Sequence, residues 1–128
     1  MEKIVKYTIY YEPIGFYEED EDTIKDLKKF KNKVKRIFET SKVPGKSLVK
    51  TIQVCQIDEY EGTAHTFGRH DGFVIGKYDR FGNPHSDKRL KDLIQHEVGH
   101  IYERHHPEVQ KDFPGEKFAL IWGRRKWR

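Results

Sequence analysis

The segment His96-Glu97-Val98-Gly99-His100 constrains this chain more than any other. A helix advances about 100° per residue, so two histidines four residues apart share one face and can hold one ion. Glu97 lies about 60° beyond His100 on the helical wheel. It is poorly placed to join the same tetrahedron and well placed to reach a water on the ion. A catalytic zinc ion keeps one position open and lowers the pKa of its water to about 7. A neighbouring carboxylate can then accept the proton and pass it to a departing amine. The flanking residues predict the helix itself. Ser86 is a suitable N-cap for residues 87–105, and Pro107 limits the far end. Leu90, Leu93, Ile94 and Ile101 form an apolar arc beside the histidines, which places the pair at the border of a buried face.

Two histidines do not complete a zinc site, so a third protein ligand is expected. Glu116 is the first choice. It follows the Pro114-Gly115 break and opens a further helix. Ala119, one turn later, lets that helix approach the first closely. A carboxylate in a first turn also suits the helix dipole without binding anything. His106 is the rival, ten residues after His96. In a continuous helix it would rise about 9 Å above His100 and point elsewhere, so the chain would have to turn sharply. Otherwise His105 and His106 form a solvated helix end. Glu103 reads as a carboxylate beside the site or on the surface, rather than a ligand. His65, His70 and His85 fall in loops. Tyr78, Tyr102 and His105 are candidates for stabilising an oxyanion.

The remaining sequence predicts a small α+β domain over residues 1–128. Charged residues make up 36% of the chain, yet 13% are aromatic, which gives enough to bury. Strands are expected over 3–11, 48–58, 63–67 and 72–79, from their β-branched and aromatic content. The acidic residues around 18–22 lead into an amphipathic helix over 22–40. Its stripe is Ile24, Leu27, Phe30, Val34, Ile37 and Phe38, and Val43-Pro44-Gly45 ends it. Cys55 falls inside a strand as a buried filler, and a lone cysteine excludes an internal disulfide. Residues 107–115 should be a loop, and a last helix should run from about 115 to the C-terminus. The order is then β-α-β-β-β-α-α, a mixed or antiparallel sheet packed on helices.

His96-Glu97-Val98-Gly99-His100, followed by Glu116-Lys117-Phe118-Ala119, resembles the gluzincin branch of the HExxH zinc metallopeptidases, and most of all the small minigluzincins. The resemblance covers about residues 90–122. It implies a zincin-like domain with an N-terminal helix, an active-site helix and a C-terminal glutamate helix. It implies one zinc ion per chain, held by His96, His100 and Glu116, with Glu97 as general base. The substrate would be a peptide or protein, and a terminal segment can hold such an enzyme latent. Some gluzincins carry an asparagine just before the ligand glutamate; here that residue is Gly115. In this architecture the strand before the active helix rims the cleft and can pair with a substrate peptide. Residues 72–79 fit that place, or else form an ordinary edge strand blunted by Lys77. With His106 as ligand, the motif is also similar to the SprT- and WHG-type metallopeptidases, some of which act near DNA.

Other function classes are less favoured. No apolar run approaches the roughly 20 residues of a membrane span, and the start lacks a signal-like stretch, so a cytoplasmic protein is expected. The net charge of +4 permits nucleic-acid contact without demanding it. The tail Gly123-Arg124-Arg125-Lys126-Trp127-Arg128 can touch phosphates or stack on a base. More simply, it is a solvated helix end with Trp127 packed on the domain. A basic nucleic-acid-binding module without catalysis is therefore the alternative of a different class.

Overall fold

A computed structural model describes residues 7–11, 21–57, 64–66, 71–79, 81–113 and 115–127. The first residues of the expected N-terminal strand, most of the acidic loop, and His70 lie outside the described residues. The elements are β1 (Thr8–Tyr11), α1 (Glu21–Thr40), a 3-10 turn (Lys46–Leu48), β2 (Thr51–Ile57), β3 (Ala64–Thr66), β4 (Gly72–Tyr78), α2 (Asp87–His105), α3 (Val109–Asp112) and α4 (Lys117–Arg124). The fold is α+β, as the periodicities predict.

The sheet is mixed, with order β1-β2-β4-β3. β1, β2 and β4 run parallel, and only β3 is antiparallel, against β4. A wholly antiparallel sheet is thus excluded. Helix α1 is the crossover that a parallel β1–β2 pair requires. Alternation along the strands puts Ile52 and Val54 of β2 beside Phe73 and Ile75 of β4 on one face. That face receives Phe30, Val34 and Phe38 from α1, and Leu90, Ile94, Val98 and Ile101 from α2. The apolar stripes of both helices therefore share one core. Cys55 is buried, as a filler should be.

Two expectations need correction. Residues 72–79 are not an edge strand. Ile75, Val74 and Phe73 of β4 pair with β3 on the side away from β2, and Tyr78 bridges Pro84. The sheet edge on this side is β3, and α2 packs beneath both β3 and β4. Strand composition alone does not distinguish an interior strand from an edge strand. Second, residues 107–115 are not wholly irregular. Val109–Asp112 form a helical turn after Pro107, with the amide of Val109 bonded to the His106 carbonyl at 3.1 Å.

The end of α1 is closed by a residue that composition would place on the surface. Lys46 is buried, and its Nζ donates to the carbonyls of Glu39 (2.9 Å) and Ser41 (2.7 Å). The last carbonyls of a helix lack intrahelical partners and carry partial negative charge. Lys46 supplies both donors and the opposite charge, which the last turn of α1 lacks.

Candidate metal centre

The local sequence of α2 sets the first two site residues. Ser86 caps the helix by accepting from the Arg89 amide at 3.1 Å. Leu90, Leu93, Ile94, Val98 and Ile101 are buried, so the helix has a fixed rotation about its axis. That rotation brings His96 and His100 to the margin of the core, about one fifth exposed. Their Nε2 atoms are 3.1 Å apart.

Helix α4 brings the third group. It can cross α2 closely because the contact is made by small residues. A Cβ on Gly123 would lie 2.7 Å from the Asp92 carbonyl oxygen and 2.9 Å from the His96 Cβ, and a Cβ on Gly99 would lie 2.9 Å from the Trp122 Cβ. Ala119 is fully buried. Gly115, at φ +67°, reverses the chain just before α4 in a backbone region that favours glycine. Glu116 then occupies the N-cap position but makes no side-chain capping bond. Its Oε2 instead lies 3.0 Å from His100 Nε2 and 3.2 Å from His96 Nε2.

These three atoms form a nearly equilateral triangle with sides of 3.0, 3.1 and 3.2 Å. A ring nitrogen either carries a proton or offers a lone pair. No proton arrangement therefore closes all three edges with good hydrogen bonds, whereas one cation satisfies all three atoms. Tetrahedral zinc with bonds of about 2.0–2.1 Å separates its ligands by about 3.3–3.4 Å. The triangle is only slightly tighter, and its donor set of two imidazoles and a carboxylate suits that ion. His96, His100 and Glu116 thus fit a metal ion.

No family model, curated protein or solved structure matches this chain.

Glu97 is not a corner of the triangle. It is 4% exposed and so more deeply buried than the histidines beside it. His106 does not reach the centre either. Its ring stacks on Tyr102 at 4.2 Å, and its Nδ1 lies 3.5 Å from Glu108. His105 turns away from the centre and contacts Asp71 at 2.9 Å. Tyr102 is committed to a stack with Phe118 and Trp122, and the Lys77 ammonium lies over the Tyr78 ring. His85 lies at the foot of α2, away from the triangle, where burial and the Arg89 charge lower its pKa against the opposing pull of Asp79.

Electrostatics favour the ligand form of His96. Burial pushes its pKa down, the charge of His100 adds to this, and Glu116 opposes both. The ring is therefore biased toward the neutral state that a metal requires. Glu103 is also buried, and burial and the nearby Glu116 raise its pKa, while His100 and the Ala119 amide act the other way.

Beside the centre, α2 and α4 are locked by a buried amide. Gln95 Oε1 accepts from Ser41 Oγ at 2.7 Å, and its Nε2 donates to the carbonyls of Gly123 (2.9 Å) and Arg125 (3.1 Å). The last helix accordingly stops at Arg124 instead of running to the C-terminus. Trp127 folds back, with its ring 4.5 Å from Trp122, its Nε1 bonded to the Trp122 carbonyl and the Arg125 guanidinium over its face. Gly99 and Gly123 mark this crossing, and only the paired helices reveal their role.

Proposed function

We propose that this protein is a zinc-dependent peptidase of gluzincin type. The supporting observation is the convergence of His96 Nε2, His100 Nε2 and Glu116 Oε2, from two helices, onto one point. Those three residues would hold the ion. When bound, zinc supplies a Lewis acid that polarises a carbonyl and makes water acidic. Glu97, one residue after the first ligand, acts as general base. It takes a proton from the attacking water and delivers it to the amine of the broken peptide bond, so the proton balance closes on one carboxylate. A peptide joining the sheet on this side pairs with β3, since β4 is already flanked on both sides.

The test has two readouts. The purified protein should take up one equivalent of zinc, and Glu97→Gln should retain the metal while losing about 10²- to 10⁴-fold in peptide cleavage. Absence of stoichiometric zinc defeats the metal reading. Zinc uptake with cleavage unchanged in Glu97→Gln defeats the mechanism.

A further inference from the structure

Metal-binding histidines need more than position. A neutral imidazole carries one proton, and if it sits on Nε2 that nitrogen has no lone pair to give. Something must hold the proton on Nδ1, and metal-binding histidines usually give that proton to a carboxylate, a carbonyl or water. Gly115, the residue before Glu116, has no side chain to offer. Helix α2 supplies an acid of its own instead.

Glu103 lies three residues after His100, on the adjoining part of the same helix face. It is 8% exposed, which is unusual for a glutamate. Its Oε2 accepts from Gln110 Nε2 of the short helix α3, and the Ala119 amide of α4 favours the same carboxylate. Three elements therefore fix this side chain. Its Oε1 is buried and, among the described residues, has no hydrogen-bond partner. That oxygen lies 4.0 Å from His100 Nδ1. Buried polar atoms rarely stay unmatched, and a protonated His100 Nδ1 is a donor of the kind this oxygen lacks.

We propose that Glu103 is the positioning residue of the metal centre: its Oε1 accepts the Nδ1 proton of His100 and so keeps Nε2 free for the cation. This rests on the metal reading above. Glu103 itself stays off the metal. Its action on the centre runs through the ring of His100, and its burial between α2, α3 and α4 couples that ring's orientation to the position of the helix that carries Glu116.

The experiment is zinc competition titration of the full chain, comparing wild type with Glu103→Met and Glu103→Gln, each checked for folding by circular dichroism. Methionine keeps the volume without an acceptor, and its zinc affinity should fall about 10- to 100-fold. Glutamine keeps an acceptor and should recover most of the loss, which a purely space-filling role does not predict. Nitrogen-15 NMR of the zinc-loaded wild type should show the His100 proton on Nδ1, hydrogen-bonded and shifted downfield. A folded Glu103→Met that binds zinc within twofold of wild type overturns the proposal and leaves the metal reading intact. If that variant does not fold, the NMR decides: a His100 proton elsewhere than Nδ1, or one exchanging freely with solvent, overturns it. A wild type that binds no zinc removes the metal reading and this inference together.

Discussion

Helix α2 carries two histidine–carboxylate clusters, and they are built in opposite senses. Near its middle, His96, His100 and Glu116 direct three electron-pair donors at one point. Near its end, Asp71 accepts from both Arg104 and His105, so two donor side chains surround a single carboxylate. The second cluster is already satisfied and ties the start of β4 to the last turn of α2. In the first, three electron-pair donors face one another, an arrangement that a cation would satisfy. A short histidine–carboxylate distance therefore does not by itself mark a metal site. What separates two clusters that composition makes look alike is the balance of electron-pair donors and hydrogen-bond donors.

The strongest way to break this contrast is to remove corners of the triangle. Glu116→Ala should lower zinc affinity by more than the ~10- to 100-fold that orienting partners are worth, since a direct ligand is lost. His105→Ala and His106→Ala should leave it unchanged. Metal analysis of the purified variants checks this, and a loss of zinc in His106→Ala would move the third corner to the helix end.

A smaller effect tests what holds the triangle together. In Gly123→Ala the new methyl meets the Asp92 carbonyl at 2.7 Å, a backbone atom that cannot swing aside. The helices must separate, at a cost of about 1–3 kcal/mol typical of overpacking. Glu116 sits at the head of α4 and moves with it, so zinc affinity should weaken together with thermal stability. Intact affinity in a destabilised Gly123→Ala would show that the loop before Glu116, and not the helix crossing, sets the ligand.

These tests also show what the sequence makes legible. His96 and His100 follow from helical spacing, and the rotation that exposes them follows from Leu90, Leu93, Ile94 and Ile101. Glu116 is suggested by a Pro-Gly break before an apolar helix. Its reach to the histidines depends on Gly99 and Gly123 meeting side chains and backbone of the opposite helix, a tertiary fact with no period along the chain. Lys46 looks like a surface lysine until α1 ends above it. The interior place of β4 depends on where the three-residue β3 pairs, and so short a strand has little pattern of its own. Local periodicity specifies the elements and the faces they bury. Close approach and pairing, which bring Glu116 to the histidines and set the sheet edge, arise only when those elements meet.

The smallest expected effect tests the other half of the contrast. Asp71 is largely buried, and burial alone would raise its pKa. The hydrogen bonds from His105 and Arg104, together with their charges, outweigh this and hold it below the usual carboxylate range. A carboxylate with a depressed native pKa contributes stability that is present above its unfolded value, near 3.9, and is lost as pH falls through the lower native value. Both partners are more than a third exposed, so screening keeps the contribution to about 1 kcal/mol. Asp71→Asn should therefore cost about that much in urea unfolding at pH 7. Between pH 5 and pH 3 its stability should fall less steeply than that of wild type, because one carboxylate with a depressed pKa has been removed. Zinc affinity at neutral pH should not change. A large loss of zinc in Asp71→Asn would mean that the two clusters act as one unit through the last turns of α2, and that the division between latch and metal centre is wrong.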